Sequence, residues 1–168
     1  MSINNQKGFT MLEVLIAIII FSFGLLGLAG LQLVSLANNL SANSRSTATA
    51  LAYDMADRMR ANMQGAVAGN YNNIAGVDNS CQAIHYDDVH AVPVTCTAAQ
   101  LAQDDVYDWQ KVVAGTLASG SATVCIDSTP LTAACDGAGT IYAVRVNWND
   151  KPKNDAATTK TVAIEFRP

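Results

Sequence analysis

At 168 residues, with half of them apolar and 14% charged, the chain has the composition of one folded domain plus at most an appendage, which excludes an intrinsically disordered protein. The formal charge is −4, and between Ala66 and Thr140 eight Asp stand against a single base, Lys111. Such a region repels phosphate backbones and argues against a nucleic-acid partner. Met1–Gly8 is a short polar leader, too short to be a Sec-type signal with an apolar core of its own. Phe9 to Leu31 is apolar except for Thr10, Glu13 and Ser22. At about 1.5 Å per residue this segment spans roughly 35 Å, enough to cross a hydrocarbon core of about 30 Å.

The helix signal continues past the membrane segment to about Met63. Leu51, Met55, Met59 and Met63 recur every four residues, with Ala48, Ala52 and Ala56 on an adjoining row, so this half is amphipathic. Asp54 and Arg58, and Asp57 and Arg60, stand at helical ion-pair spacings. Gly65 is the expected stop. The whole helix would be about 54 residues, roughly 80 Å long. Residues 66–94 read as an irregular loop. A second helix is expected from Thr97, an N-cap candidate, to about Leu117, with Leu101, Val106, Trp109, Val113 and Leu117 on its apolar face. Asp104, Asp105 and Asp108 in its first half suit the helix dipole.

Three strand signals follow, at Ala122–Ile126, Ile141–Trp148 and Thr161–Arg167. In the second, Tyr142, Val144, Val146 and Trp148 alternate with Ala143, Arg145 and Asn147. In the third, Val162, Ile164 and Phe166 alternate with Ala163, Glu165 and Arg167. The predicted fold class is α+β: a long N-terminal helix, transmembrane in its first half, packed through its second half on a small antiparallel sheet, with one further helix. Trp109 and Trp148 are expected in the core.

Lys7 is the only charged side chain before Glu13, and the next base is Arg45. The positive-inside tendency then puts the short N-terminal end in the cytoplasm and the rest outside. In an exported domain an even cysteine count favours disulfides. Cys81, Cys96, Cys125 and Cys135 allow three pairings, and nearest-in-sequence pairing, Cys81–Cys96 and Cys125–Cys135, closes two modest loops.

From Lys7 the sequence reads K-G-F-T-M-L-E-V-L-I-A. This strongly resembles the processing site of type IV pilins and pseudopilins: a short basic leader ending in Gly, a hydrophobic residue, a Thr, and a Glu at the fifth position after the cut. The resemblance implies cleavage by a prepilin peptidase between Gly8 and Phe9, and N-methylation of Phe9. It also implies a filament-assembly role for Glu13, an acid that is costly in lipid unless paired. Physical reasoning supports the pairing, since a neighbour's N-terminal amine approaching Glu13 in a low-dielectric bundle would attract it strongly and fix axial register. Gly24, Gly27 and Gly30 each cost roughly 1 kcal/mol of helix propensity. The family reading is a weak region that loosens on filament assembly; close packing of small residues is the other reading.

The stretches FGLLGLAGLQ (Phe23–Gln32) and ALAYDMADRMRANM (Ala50–Met63), and the YDWQ of Tyr107–Gln110, resemble the PilV-type minor pilins, also called type IV pilus modification proteins. Major pilins usually carry a Pro where this chain has Gly30. The resemblance implies a type IV pilin-like fold with four parts: leader 1–8, transmembrane half-helix 9–36, amphipathic half-helix 37–64 and periplasmic globular head 65–168. The implied function is that of a minor pilin, held in the bacterial inner membrane and then in the pilus fibre. It would be co-assembled with other minor pilins to initiate or modify pilus assembly. Implied partners are the prepilin peptidase, the other minor pilins, the major pilin and the inner-membrane assembly platform. A minor pseudopilin of a type II secretion system would share this N-terminus. A DNA-uptake or adhesive pilin would need a basic face, for which Arg145, Lys151, Lys153 and Lys160 are the candidates.

Cys81, His85, His90 and Cys96 could be drawn as a zinc site, but their spacing is irregular. Asp87 and Asp88 read as a solvated loop. No EF-hand pattern, phosphate loop or Ser/His/Asp or Cys/His nucleophile pattern is present. The chain is therefore expected to be neither an enzyme nor a cofactor or metal carrier.

Overall fold

The computed structural model describes residues 10–81, 95–129, 135–150 and 158–168. Its elements in chain order are α1 (Met11–Ala61), α2 (Met63–Val67), α3 (Ala98–Thr116), β1 (Ser121–Ile126), β2 (Tyr142–Asn149) and β3 (Thr159–Phe166). The strands form an antiparallel sheet in the order β1-β2-β3. The α+β expectation of a long apolar N-terminal helix, a small antiparallel sheet and a further helix is met.

The chain divides into two compact units, Met1–Ala42 and Asn43–Pro168, and α1 contributes to both. In the first unit every described residue from Thr10 to Leu40 is exposed. The helix forms there by propensity and backbone hydrogen bonding, because none of the described residues covers it.

The second unit holds the core. Ala48, Ala52, Met55, Ala56 and Met59 of α1 are buried, as the four-residue rows require. Their small Ala row lets partners approach closely, and each buried Met contributes roughly 1.5–3 kcal/mol of hydrophobic stabilisation. Val106, Trp109 and Val113 from α3 and Leu117 just after it join them, with Ala122, Val124, Tyr142, Val144, Val146, Trp148 and Phe166 from the sheet. Trp109 Nε1 donates to the Leu51 carbonyl at 2.7 Å and so ties α3 to α1.

Thr97 caps α3 through a complete capping box with Gln100. β3 starts two residues earlier than the alternation indicated, because Thr159 and Lys160 pair with Asn149 and Trp148.

Gly65 is not the helix stop. α1 ends at Ala61, and Asn62 caps α2 by accepting from Gly65 N–H at 3.2 Å. Gly65 lies inside α2, where a Cβ would sit 2.5 Å from Asn62 Nδ2. Glycine there makes room for the capping side chain. The break moves Met63 off the α1 stripe, and it is exposed.

The sheet's second face also differs from the alternation reading. Ala143 and Arg145 are buried, not solvated. Cys125, opposite Ala143 in the ladder, binds Cys135 and so holds that residue against this face.

Candidate assembly site on the N-terminal helix and the polar clusters of the head

Thr10 opens α1. Its carbonyl and its Oγ1 accept from Glu13 N–H at 3.1 and 3.3 Å, and its carbonyl also accepts from Val14 N–H at 3.3 Å. Thr10-Met11-Leu12-Glu13 is thus also an S/T-x-x-E capping signature, a local reason for a Thr and a Glu at this spacing that the processing motif had obscured. Glu13, in the first turn, faces the positive end of the helix and is exposed. From Met11 to Leu40 it is the only ionisable side chain. Ser22 Oγ donates to the Ile18 carbonyl at 2.7 Å, which satisfies a hydroxyl on an apolar surface. Around Gly24, Gly27 and Gly30 nothing approaches within 4 Å of a Cβ position, and α1 passes through all three unbroken. Gly8 and Phe9 lie outside the described residues, as do His85, Asp87, Asp88, His90, Lys151 and Lys153.

In the head, a buried polar cluster ties α1, α2 and α3 together. Asn62 Nδ2 donates to Tyr71 Oη at 3.0 Å and to the Ala98 carbonyl at 2.8 Å. Tyr71 Oη donates in turn to Asp105 Oδ2 at 2.6 Å, and Arg58 Nη1 lies 3.7 Å from Asp105 Oδ1. Burial pushes Tyr71 far above the usual tyrosine range, with the Asp105 carboxylate adding to the shift. Burial likewise raises Asp105, while the Tyr71 hydroxyl and Arg58 hold it down in part. Asp104 is buried beside it and accepts from Asn79 N–H at 2.7 Å. The acids of α3 therefore do not serve the helix dipole: none is in the first turn, and Asp104 and Asp105 point inward to anchor residues 71 and 79. The helical ion pairs Asp54–Arg58, at 3.0 Å, and Asp57–Arg60 are both formed.

The second cluster lies on the far face of the sheet. Arg145 Nη2 contacts Asp127 Oδ2 at 2.5 Å, and Nη1 reaches Cys125 Sγ at 3.2 Å and Cys135 Sγ more closely. Asp127 Oδ1 also accepts from Thr129 N–H at 2.9 Å. Arg145 is 6% exposed, so it is no part of a basic outer face; Lys160 is exposed. Cys81 pairs with Cys96 and Cys125 with Cys135. Bonded sulfurs are not thiolate ligands, and the Arg145 guanidinium stands where a cation beside Cys125, Asp127 and Cys135 would have to sit. Trp109 and Trp148 are both buried.

Two family models match the chain in succession. One, described as a prokaryotic N-terminal methylation motif, covers residues 3–29. The other, described as type IV pilin Tt1218, covers residues 30–107. The chain belongs to the type IV pilin family. No curated protein and no solved structure matches it. In this pilin the methylation motif includes Thr10, Glu13 and most of the exposed apolar surface, and the second match ends within α3. The sheet and both cysteines of the Arg145 cluster lie beyond the matched residues.

Proposed function

We propose that this pilin is a minor subunit of a type IV pilus, of the PilV type, that joins other minor pilins to initiate or modify pilus assembly. One observation carries the reading: residues 11–40 form an exposed apolar helix with Glu13 as its single ionisable group. That surface suits first a bilayer and then a bundle of like helices. Prepilin peptidase cuts between Gly8 and Phe9 and methylates Phe9, which leaves the apolar helix intact. The chain is then held in the inner membrane through residues 9–36, with residues 37–64 and the head, 65–168, in the periplasm.

Within a fibre Glu13 pairs with the N-terminal amine of a neighbouring subunit. A charge pair removed from water in this way both relieves a buried acid and sets the axial register. Gly24, Gly27 and Gly30 supply the segment that loosens during this transfer. The partners are the peptidase, the other minor pilins, the major pilin and the assembly platform, and the role is structural, not enzymatic.

The test is intact mass and location in a pilus-bearing cell. Expected are loss of Met1–Gly8, one methyl group on Phe9 and two disulfides, with the protein present in sheared fibres. Glu13→Ala should still be cleaved and membrane-held but absent from fibres. An uncleaved chain overturns the reading. Normal pili with lost protein secretion in a deletion strain would assign it to a type II secretion pseudopilus instead.

A further inference from the structure

We propose that Cys125–Cys135 is a thiol–disulfide exchange site, addressed by a dithiol reagent or dithiol protein, and that Arg145 is the positioning residue that stabilises the thiolate released when the bond opens. The two sulfurs differ in setting. Cys125 is fully buried in β1, whereas Cys135, in the segment before β2, is only partly covered. Arg145 Nη1 stands 3.2 Å from Cys125 Sγ and 2.6 Å from Cys135 Sγ, so it can stabilise a thiolate on either. The difference in exposure makes Cys135 the attacked sulfur and Cys125 the one that leaves. Its second nitrogen is held by Asp127, which is itself buried and fixed by Thr129 N–H. A guanidinium cannot be neutralised in a protein, so it offers a permanent N–H donor to whatever charge appears on the sulfurs. Asp127 opposes this charge, but its carboxylate is engaged by Arg145 Nη2 and Thr129, whereas Nη1 is aimed at the sulfurs.

The step balances as follows. A thiolate of the dithiol attacks the less buried Cys135 Sγ, forming a mixed disulfide and breaking the Cys125–Cys135 bond. Cys125 leaves as a thiolate against Arg145 Nη1. The reagent's second thiol, as thiolate, then attacks its own sulfur in the mixed disulfide and releases Cys135. The reagent is oxidised to a disulfide, and the protein pair, reduced by two electrons, takes its protons from solvent. Exchange is faster when the leaving thiolate is stabilised and the attacked sulfur is the more accessible of the two; Arg145 supplies the first condition and the less buried Cys135 the second. Cys81–Cys96 carries no such cation among the described residues.

The experiment uses the full-length protein in detergent, incubated with graded dithiothreitol, alkylated, and mapped by mass spectrometry. Cys125–Cys135 should open at a roughly tenfold lower dithiol concentration than Cys81–Cys96. After partial reduction, alkylation of Cys125 should reach half its maximal rate at a lower pH than that of a cysteine in the fully reduced, denatured chain. Arg145→Gln should narrow the gap between the two disulfides and move that pH profile back towards the denatured one. Equal or reversed opening of the two disulfides in the unaltered protein overturns the proposal, as does an ordinary pH profile for Cys125. Both of these outcomes stand even if Arg145→Gln does not fold.

Discussion

Tyr71 Oη donates to Asp105 Oδ2 at 2.6 Å, joining the segment after α2 to α3 through a bond between two buried side chains. Tyr71→Phe removes the donor and with it one hydrogen bond to the buried Asp105 carboxylate. The loss is expected to cost about 1–3 kcal/mol in denaturant unfolding. Asp105 should rise further, because the hydroxyl is one of the groups that holds it down.

Asp105 also sets a pH dependence. Its folded-state value is raised above the ordinary 3.8, so over that interval the folded chain holds a proton that the unfolded chain has lost. Its contribution is therefore full below 3.8 and is lost as pH rises through the folded value. Asp105→Asn should abolish this decline in a pH series of unfolding midpoints.

Asp136 works in the opposite sense. Its carboxylate accepts from the Ser128 hydroxyl, from Ala138 N–H and from Ser128 N–H, and these bonds lower it to about 2. Its contribution is present above 3.8 and is lost as pH falls through about 2. Asp136→Asn should flatten that acid limb and leave the Asp105 region of the curve unchanged.

Two glycines should respond oppositely to alanine. At Gly120 a Cβ would lie 2.3 Å from the Val113 carbonyl oxygen, a backbone atom that cannot move aside, so Gly120→Ala should destabilise by about 1–3 kcal/mol. Gly115 sits inside α3 with nothing within 4 Å of its Cβ position, so Gly115→Ala should stabilise by about 0.5–1 kcal/mol. Thermal unfolding of the two variants side by side checks both signs.

Trp109→Phe keeps most of the buried ring but loses the bond to the Leu51 carbonyl. It should cost about 1–3 kcal/mol, combining the lost hydrogen bond with a small cavity. Near-ultraviolet circular dichroism and denaturant midpoints would register it, with helix content retained.

Much of the fold was legible because its signals are local. Thr97 marks the start of α3 as an N-cap residue, and Ala48, Ala52 and Ala56 mark a buried row by helix period alone. The processing motif and the apolar run are contiguous in sequence, so no folding was needed to see them. Gly65 misled because glycine serves a helix stop and a close approach equally well. Only the Asn62 side chain packed against it distinguishes the two.

By itself, then, the sequence determined what short-range rules govern: the exposed apolar helix with one acid, the Thr97 cap, the strand alternation and the family. The tertiary structure alone decided what distant residues do together. Asp104 and Asp105 look like surface acids until residues 79 and 71 fold over them. Arg145 looks like a solvent-facing strand residue until β1 and the Cys125–Cys135 disulfide enclose it with Asp127. The physical reason is common to both. Burying a charge is tolerable only where partners far along the chain converge on it, and no local pattern records that convergence.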